Sequence, residues 1–136
     1  MLATVAVATA AGLWLRRSGR RLGRRQPTPP SADRERLAEA DLGGPLGERA
    51  TLVQFSSAFC QPCRATRRVL DEVSSAVPGV AHLEVDAESN LELVRRLDVR
   101  RTPTVLVLDA AGGIVRRASG QPRKADVIAA LGEAVG

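Results

Sequence analysis

The 136-residue chain predicts an α/β domain. Three observations lead there. Short apolar strands alternate with stretches of helical periodicity from residue 51 to the end. One of those strands, Thr104-Val105-Leu106-Val107-Leu108, carries an unbroken apolar run, as a strand buried on both faces does. The chain's only two cysteines, Cys60 and Cys63, fall where a strand gives way to a helix.

The elements follow in order. Residues from about 33 to 41 suit a short helix stopped by Gly43-Gly44-Pro45. Thr51-Leu52-Val53-Gln54-Phe55 reads as a strand. Residues from about 62 to 76 read as a helix with Thr66, Val69, Leu70, Val73 and Val77 on one face, ended by Pro78-Gly79. Ala81 to Val85 is a strand, and residues from about 89 to 97 form a short helix. After the strand 104–108, Ala111-Gly112-Gly113 turns the chain into Ile114-Val115-Arg116-Arg117, the edge strand of a hairpin. Residues from about 123 to 135 make the last helix, with Val127, Ile128, Leu131 and Val135 facing inward. The order is β-α-β-α-β-β-α.

The N-terminus is different in kind. Residues 1–15 contain no charged side chain. At about 1.5 Å per residue they span about 22 Å, short of a hydrocarbon core of ~30 Å. Arg16, Arg17, Arg20, Arg21, Arg24 and Arg25 follow, and such long side chains snorkel and extend the effective span. A cleaved signal would carry positive charge ahead of the apolar run, and none stands there. A short soluble helix with a basic end is the other rival. The segment is read as a membrane anchor over 1–15, an Arg/Pro-rich juxtamembrane linker over 16–32, and a folded domain over 33–136. Gln26-Pro27-Thr28-Pro29-Pro30-Ser31 makes that linker a stiff or unstructured spacer. The positive-inside rule then places the domain on the cytoplasmic side, with residues 1–25 meeting the membrane.

Charge and composition exclude several classes. The formal net charge is +5, but residues 1–30 hold six arginines and no acid, and the rest holds 14 basic and 15 acidic side chains. The basicity is therefore local to the N-terminus, which argues against a nucleic-acid-binding domain. Trp14, Phe55 and Phe59 are the only aromatics, too few for base-stacking platforms. Two cysteines and one histidine, His82, fall short of a closed zinc site, so neither a metal nor an external cofactor is expected.

Cys60-Gln61-Pro62-Cys63 is where chemistry is expected. Unpaired N–H groups and the dipole at a helix N-terminus stabilise a thiolate over a thiol at Cys60. A two-residue spacer lets the sulfurs meet across the first turn, and Pro62 suits that turn because its missing N–H costs nothing there. Cys60 would attack a disulfide, and Cys63 would resolve the mixed disulfide. A structural disulfide and half of a metal site are the bland alternatives; the strand-to-helix placement favours the redox reading.

Residues from about 46 to 136 resemble thioredoxin. The resemblance is carried by Phe55-Ser56-Ser57-Ala58-Phe59-Cys60-Gln61-Pro62-Cys63-Arg64, then Val85-Asp86, Arg101-Thr102-Pro103-Thr104, Gly113 and Gly120. It implies a thioredoxin-like fold, a central mixed β-sheet flanked by helices, here preceded by the N-terminal apolar anchor helix. It implies a redox-active disulfide as the only prosthetic chemistry. It also implies protein disulfides as substrates and a dithiol donor such as a thioredoxin reductase as partner. By resemblance Pro103 is a cis-proline packed against the cysteines, and Thr102 binds substrate through its main chain.

The departures are informative. Phe59 stands where the family has Trp, and its ring would shield the site without the indole donor. Gln61 replaces a glycine. Gln54 replaces a buried Asp thought to move the resolving thiol's proton, and Gln does not ionise. His82 falls where the family has Lys. Histidine moves protons near neutral pH, so His82, held by Gln54, is a candidate for deprotonating Cys63; the bland reading is a histidine filling a strand position. Arg64, Arg67 and Arg68 read first as solvated helix surface and second as contacts for acidic substrates.

The function expected is protein-disulfide reduction at the membrane surface. The rivals are an extracytoplasmic thiol oxidant or maturation factor, and a thioredoxin-like adaptor in which the cysteines are incidental.

Overall fold

The alternating pattern builds one mixed sheet with helices on both faces. The computed structural model describes residues 34–136; the expected anchor and linker lie outside the described residues. In chain order the elements are α1 (Glu39–Leu42), β1 (Ala50–Ser56), α2 (Gln61–Ala76), β2 (Val80–Asp86), α3 (Leu91–Arg96), β3 (Thr104–Asp109), β4 (Ile114–Ser119) and α4 (Lys124–Val135). The strand order is β2-β1-β3-β4. β1 is parallel to β2 and antiparallel to β3, which is antiparallel to β4. A parallel β1–β2 pair needs a long crossover, and α2 supplies it.

Side chains alternate across each strand, and the two faces sort accordingly. Ala50, Leu52, Val105 and Val107 pack with Leu70 and Val73 of α2 and with Val127 and Leu131 of α4. Val53, Phe55, Leu106 and Leu108 pack on the other face with Leu37, Leu42, Leu93 and Leu97. The unbroken run in β3 is buried on both faces, as its composition predicts.

Two expectations are corrected. Residues 33–41 do not form one helix; only Glu39–Leu42 is helical. Residues 35–37 are extended instead. Leu37 N–H donates to the Gly112 carbonyl at 3.0 Å and Ile114 N–H to the Glu35 carbonyl at 2.9 Å, an antiparallel bridge of Arg36 with Gly113. Local helix propensity loses to sheet pairing and to burial of Leu37, 2 % exposed. Gly112 permits the approach: its φ is +84°, and a Cβ there would stand 2.2 Å from the Leu37 carbonyl oxygen.

Ile128 does not face inward; it is 52 % exposed. The buried stripe of α4 is Val127, Ala130, Leu131 and Ala134, at i, i+3, i+4 and i+7. Two alanines hide that stripe in the sequence. Among the described residues no helix is long and apolar enough to cross a membrane.

Candidate active site

The reactive end of the molecule lies where β1 stops and α2 begins. Cys60 is the N-cap of α2 and forms a disulfide with Cys63 in its first turn, with a Cα–Cα distance of 5.2 Å. The Cys63 N–H points at Cys60 Sγ, 3.2 Å away. That is the unpaired helix N-terminal donor expected from the sequence, and it favours negative charge on this sulfur once the bond opens. Gln61 and Pro62, both exposed, occupy the first two helical positions. Cys63 is 1 % exposed, whereas Cys60 is half-buried. Only Cys60 offers a sulfur to an incoming substrate.

Gln54 sits behind the pair and is fully buried. Its Nε2 donates to the Cys63 carbonyl at 2.8 Å and to Ser56 Oγ at 3.0 Å. A carbonyl only accepts, so the orientation of the carboxamide is fixed. Gln54 therefore ties the first turn of α2 to the central strand. Thr66 Oγ1 adds a bond to the Pro62 carbonyl at 2.8 Å. Gln54 Oε1 has no partner among the described residues.

The second wall is the loop before β3. The Thr102–Pro103 peptide bond is cis, as the resemblance implied. Phe55 pairs with Thr104 in the sheet, so Pro103 and Thr102 lie level with the chain just beyond Phe55. Ser57 Oγ and Thr102 Oγ1 are 2.7 Å apart and join the cysteine loop to the cis-proline loop. Gly120 N–H donates to the Pro103 carbonyl at 2.7 Å, bringing the loop after β4 to the same rim. The Ser57–Thr102 bond was missed in the sequence; its only trace is a hydroxyl residue in each of two loops distant along the chain.

Phe59 does not shield the pair. It is 100 % exposed and adopts φ +59°, a region unusual for a bulky side chain. The backbone turn needed to deliver Cys60 to the helix start directs the ring into solvent.

His82 is not brought to Cys63. Its register partner is Leu52, and Glu84 is the residue opposite Gln54. His82 Nδ1 meets Asp71 Oδ1 of α2 at 2.7 Å, and its Nε2 has no partner. Asp71 lies eight residues beyond Cys63, about 12 Å along the helix. Glu84, level with Gln54, is engaged by Arg67 through both Nε and Nη2, the latter at 2.7 Å. The hydrogen bond to Glu84 comes first and its charge second in holding the Arg67 guanidinium protonated above its usual range. The expected Gln54–His82 contact is absent because Asp71 captures the ring from the other direction. Among the described residues no cluster of His, Cys, Asp and Glu is placed to hold a metal ion.

Comparison with known proteins agrees with this geometry. A family model described as thioredoxin matches residues 45–133. Thioredoxin H5 of Oryza sativa subsp. japonica is 33% identical over 60 residues, covering 44% of this chain and 44% of that protein. Thioredoxin H4-1 of the same organism is 32% identical over 73 residues, covering 54% and 53%. The chain thus spans about half the length of the curated relatives it matches. Fasciola hepatica thioredoxin superposes with a TM-score of 0.56 at 24% identity, covering 65% of this chain and 83% of that one. Spinach chloroplast thioredoxin F gives 0.58 at 21% identity, covering 66% and 80%. At these identities the structures are evidence for the fold alone.

Proposed function

This chain belongs to the thioredoxin family, and from that premise we propose that it is a thiol–disulfide oxidoreductase that reduces protein disulfides at a membrane surface. The observation that carries the reading is the asymmetry of the pair: an accessible Cys60 at a helix N-terminus, bonded to a buried Cys63 beside a cis-proline loop.

The cycle starts from the reduced pair. Cys60 thiolate attacks one sulfur of the substrate disulfide, and the first substrate thiolate leaves and takes a proton. Cys63 loses its proton and attacks Cys60 Sγ. The Cys60–Cys63 bond forms, the mixed disulfide breaks, and the second substrate thiolate leaves. Two electrons pass from the pair to the substrate, and a dithiol donor such as a thioredoxin reductase restores them. Thr102 presents its main chain to the substrate peptide, and the Ser57 hydroxyl holds Thr102 in place.

The tether reading rests on the uncharged residues 1–15 and the arginines that follow; they support a cytoplasm-facing domain. Protease accessibility in intact cells tests that side.

A chromogenic aryl disulfide tests the chemistry. The reduced wild type is expected to release two equivalents of aryl thiolate in two phases. Cys63→Ser releases one and stays trapped as the mixed disulfide. Cys60→Ser loses the fast phase. Equal reactivity of both single variants removes the assigned roles. A reduction potential near about −270 mV supports a reductase, and one near about −120 mV supports the extracytoplasmic oxidant instead.

A further inference from the structure

Three segments border the cysteine pair on its cis-proline side: residues 57–64, which run into the first turn of α2, and the loops 98–103 and 119–123. Together they hold four arginines, Arg64, Arg100, Arg101 and Arg123, against one acid, Asp98. Two of these arginines are already neutralised, Arg100 by Asp98 at 3.0 Å and Arg123 by Asp126 at 3.0 Å. Arg64 and Arg101 are exposed and have no carboxylate partner among the described residues. Arg36 and Arg49, also without a carboxylate partner among these pairs, lie towards the far end of the sheet, where β4 and β1 begin, and Arg68 lies one turn beyond Arg64 on α2.

Arg101 lies beside Gly120. Its guanidinium lies over Gly120, where a Cβ would stand 3.2 Å from Nη2 and 3.6 Å from Cζ. Gly120 is itself bonded to the Pro103 carbonyl. The charge therefore lies on the rim beside the cis-proline. Arg64 follows Cys63 directly on the exposed side of α2. Asp86 and Glu88 lie at the same end of the sheet, where the Ala87 N–H donates to the Ser56 carbonyl at 2.9 Å, but on the β2 side of β1, away from the cis-proline loop that precedes β3. Phe59 adds a fully exposed ring beside Cys60. A substrate segment crossing from Phe59 over Cys60 towards Thr102 would meet the neighbourhood of Arg64, next to Cys63, and of Arg101, next to Thr102. Guanidinium recognises carboxylates through paired N–H donors.

Resting on the disulfide-exchange reading above, we infer that Arg64 and Arg101 select protein disulfides whose cysteines are flanked by acidic residues. The arginines steer and hold the substrate and take no part in bond making or breaking.

The test uses the reduced full chain and three synthetic peptides, each with one internal disulfide flanked by Glu, Gln or Lys. Peptide reduction is followed by alkylation and mass detection. Each rate is divided by that with dithiothreitol, a small dithiol that also attacks as its thiolate, which cancels the flanking residues' effect on thiolate attack at the disulfide itself. The expected order is Glu, then Gln, then Lys. The Glu-to-Lys ratio should be about tenfold at about 0.05 M salt and fall severalfold at about 0.5 M. In an Arg64→Gln/Arg101→Gln variant the ratio should fall to within about twofold of unity. Because the ratio is read, a general change in Cys60 reactivity does not imitate the result. A wild-type ratio near unity, or a ratio that survives in the double variant, overturns the selection. If none of the peptides is reduced, the underlying exchange reading fails instead.

Discussion

Gln54 and His82 both reach from the sheet to α2, and they meet it at different levels. Gln54 holds the first turn through the Cys63 carbonyl, and His82 holds Asp71 two turns later. Gln54 is wholly buried and carries no charge at any pH. His82 is 9 % exposed in its side chain, but its partner Asp71 is 63 % exposed and wet. Each leaves one buried atom unpartnered, Oε1 and Nε2. The side chain beside the resolving thiol is thus one without an ionisable group, and the imidazole lies remote from it. The turn that presents the cysteines is held by bonds whose strength does not follow pH.

The largest expected effect comes from breaking that division with Gln54→Asp. A carboxylate fully buried without a cation costs about 3 kcal/mol of stability at pH 8. Burial pushes such a carboxyl above its unfolded value of about 3.9. Between the two values the folded state binds more protons, so stability falls as pH rises. Urea unfolding at pH about 3 and pH about 8 should show the variant close to wild type at the lower pH, where the carboxyl is protonated in the folded and unfolded states alike, and much weaker at the higher.

His82→Ala sharpens the comparison from the other side. It removes the bond to the solvent-exposed Asp71 carboxylate and should cost about 1 kcal/mol. The second phase of aryl thiolate release, in which Cys63 attacks Cys60, should stay within about twofold of wild type from pH 6 to pH 8. A tenfold slowing of that phase alone would restore His82 to the active site. Ser57→Ala comes next. It severs the hydroxyl contact to Thr102, costs about 1 kcal/mol, and should weaken peptide binding about threefold, or about 0.6 kcal/mol.

Much of this was legible from particular residues. The run 104–108 announced a doubly buried strand, and Cys60-Gln61-Pro62-Cys63 announced a helix start with its thiols across one turn. Thr102-Pro103 was found through the resemblance and has the expected cis bond. What failed depends on tertiary choice. The segment 35–37 has helix-forming side chains but pairs with Gly112 and Ile114 because burying Leu37 outweighs propensity. Ile128 outranks Ala130 and Ala134 in hydrophobicity, yet the close approach of α4 to β3 and β4 selects the small residues. His82 was assigned by position along a strand, whereas its ring follows a carboxylate that only the packing of α2 supplies.

The smallest effect belongs to a polar contact nearer solvent, the counterpart of buried Gln54. Asp41 Oδ2 accepts from the Ala38 N–H at 2.8 Å, and Oδ1 meets Arg96 Nη1 at 3.3 Å. The Ala38 bond first and the Arg96 bond second hold the carboxyl below the usual aspartate range. A depressed carboxyl contributes stability above its unfolded value and loses it as pH falls through the folded one. Asp41→Asn should therefore cost about 0.5 kcal/mol above pH about 5, the scale of a solvated ion pair. The difference from wild type should vanish towards pH about 2 in urea unfolding. The asparagine carbonyl can still accept the Ala38 N–H, so the charge alone is lost. A difference that persisted in acid would mean that the Ala38 bond had gone as well, and that the hold on α1 is geometric, as it is at Gln54.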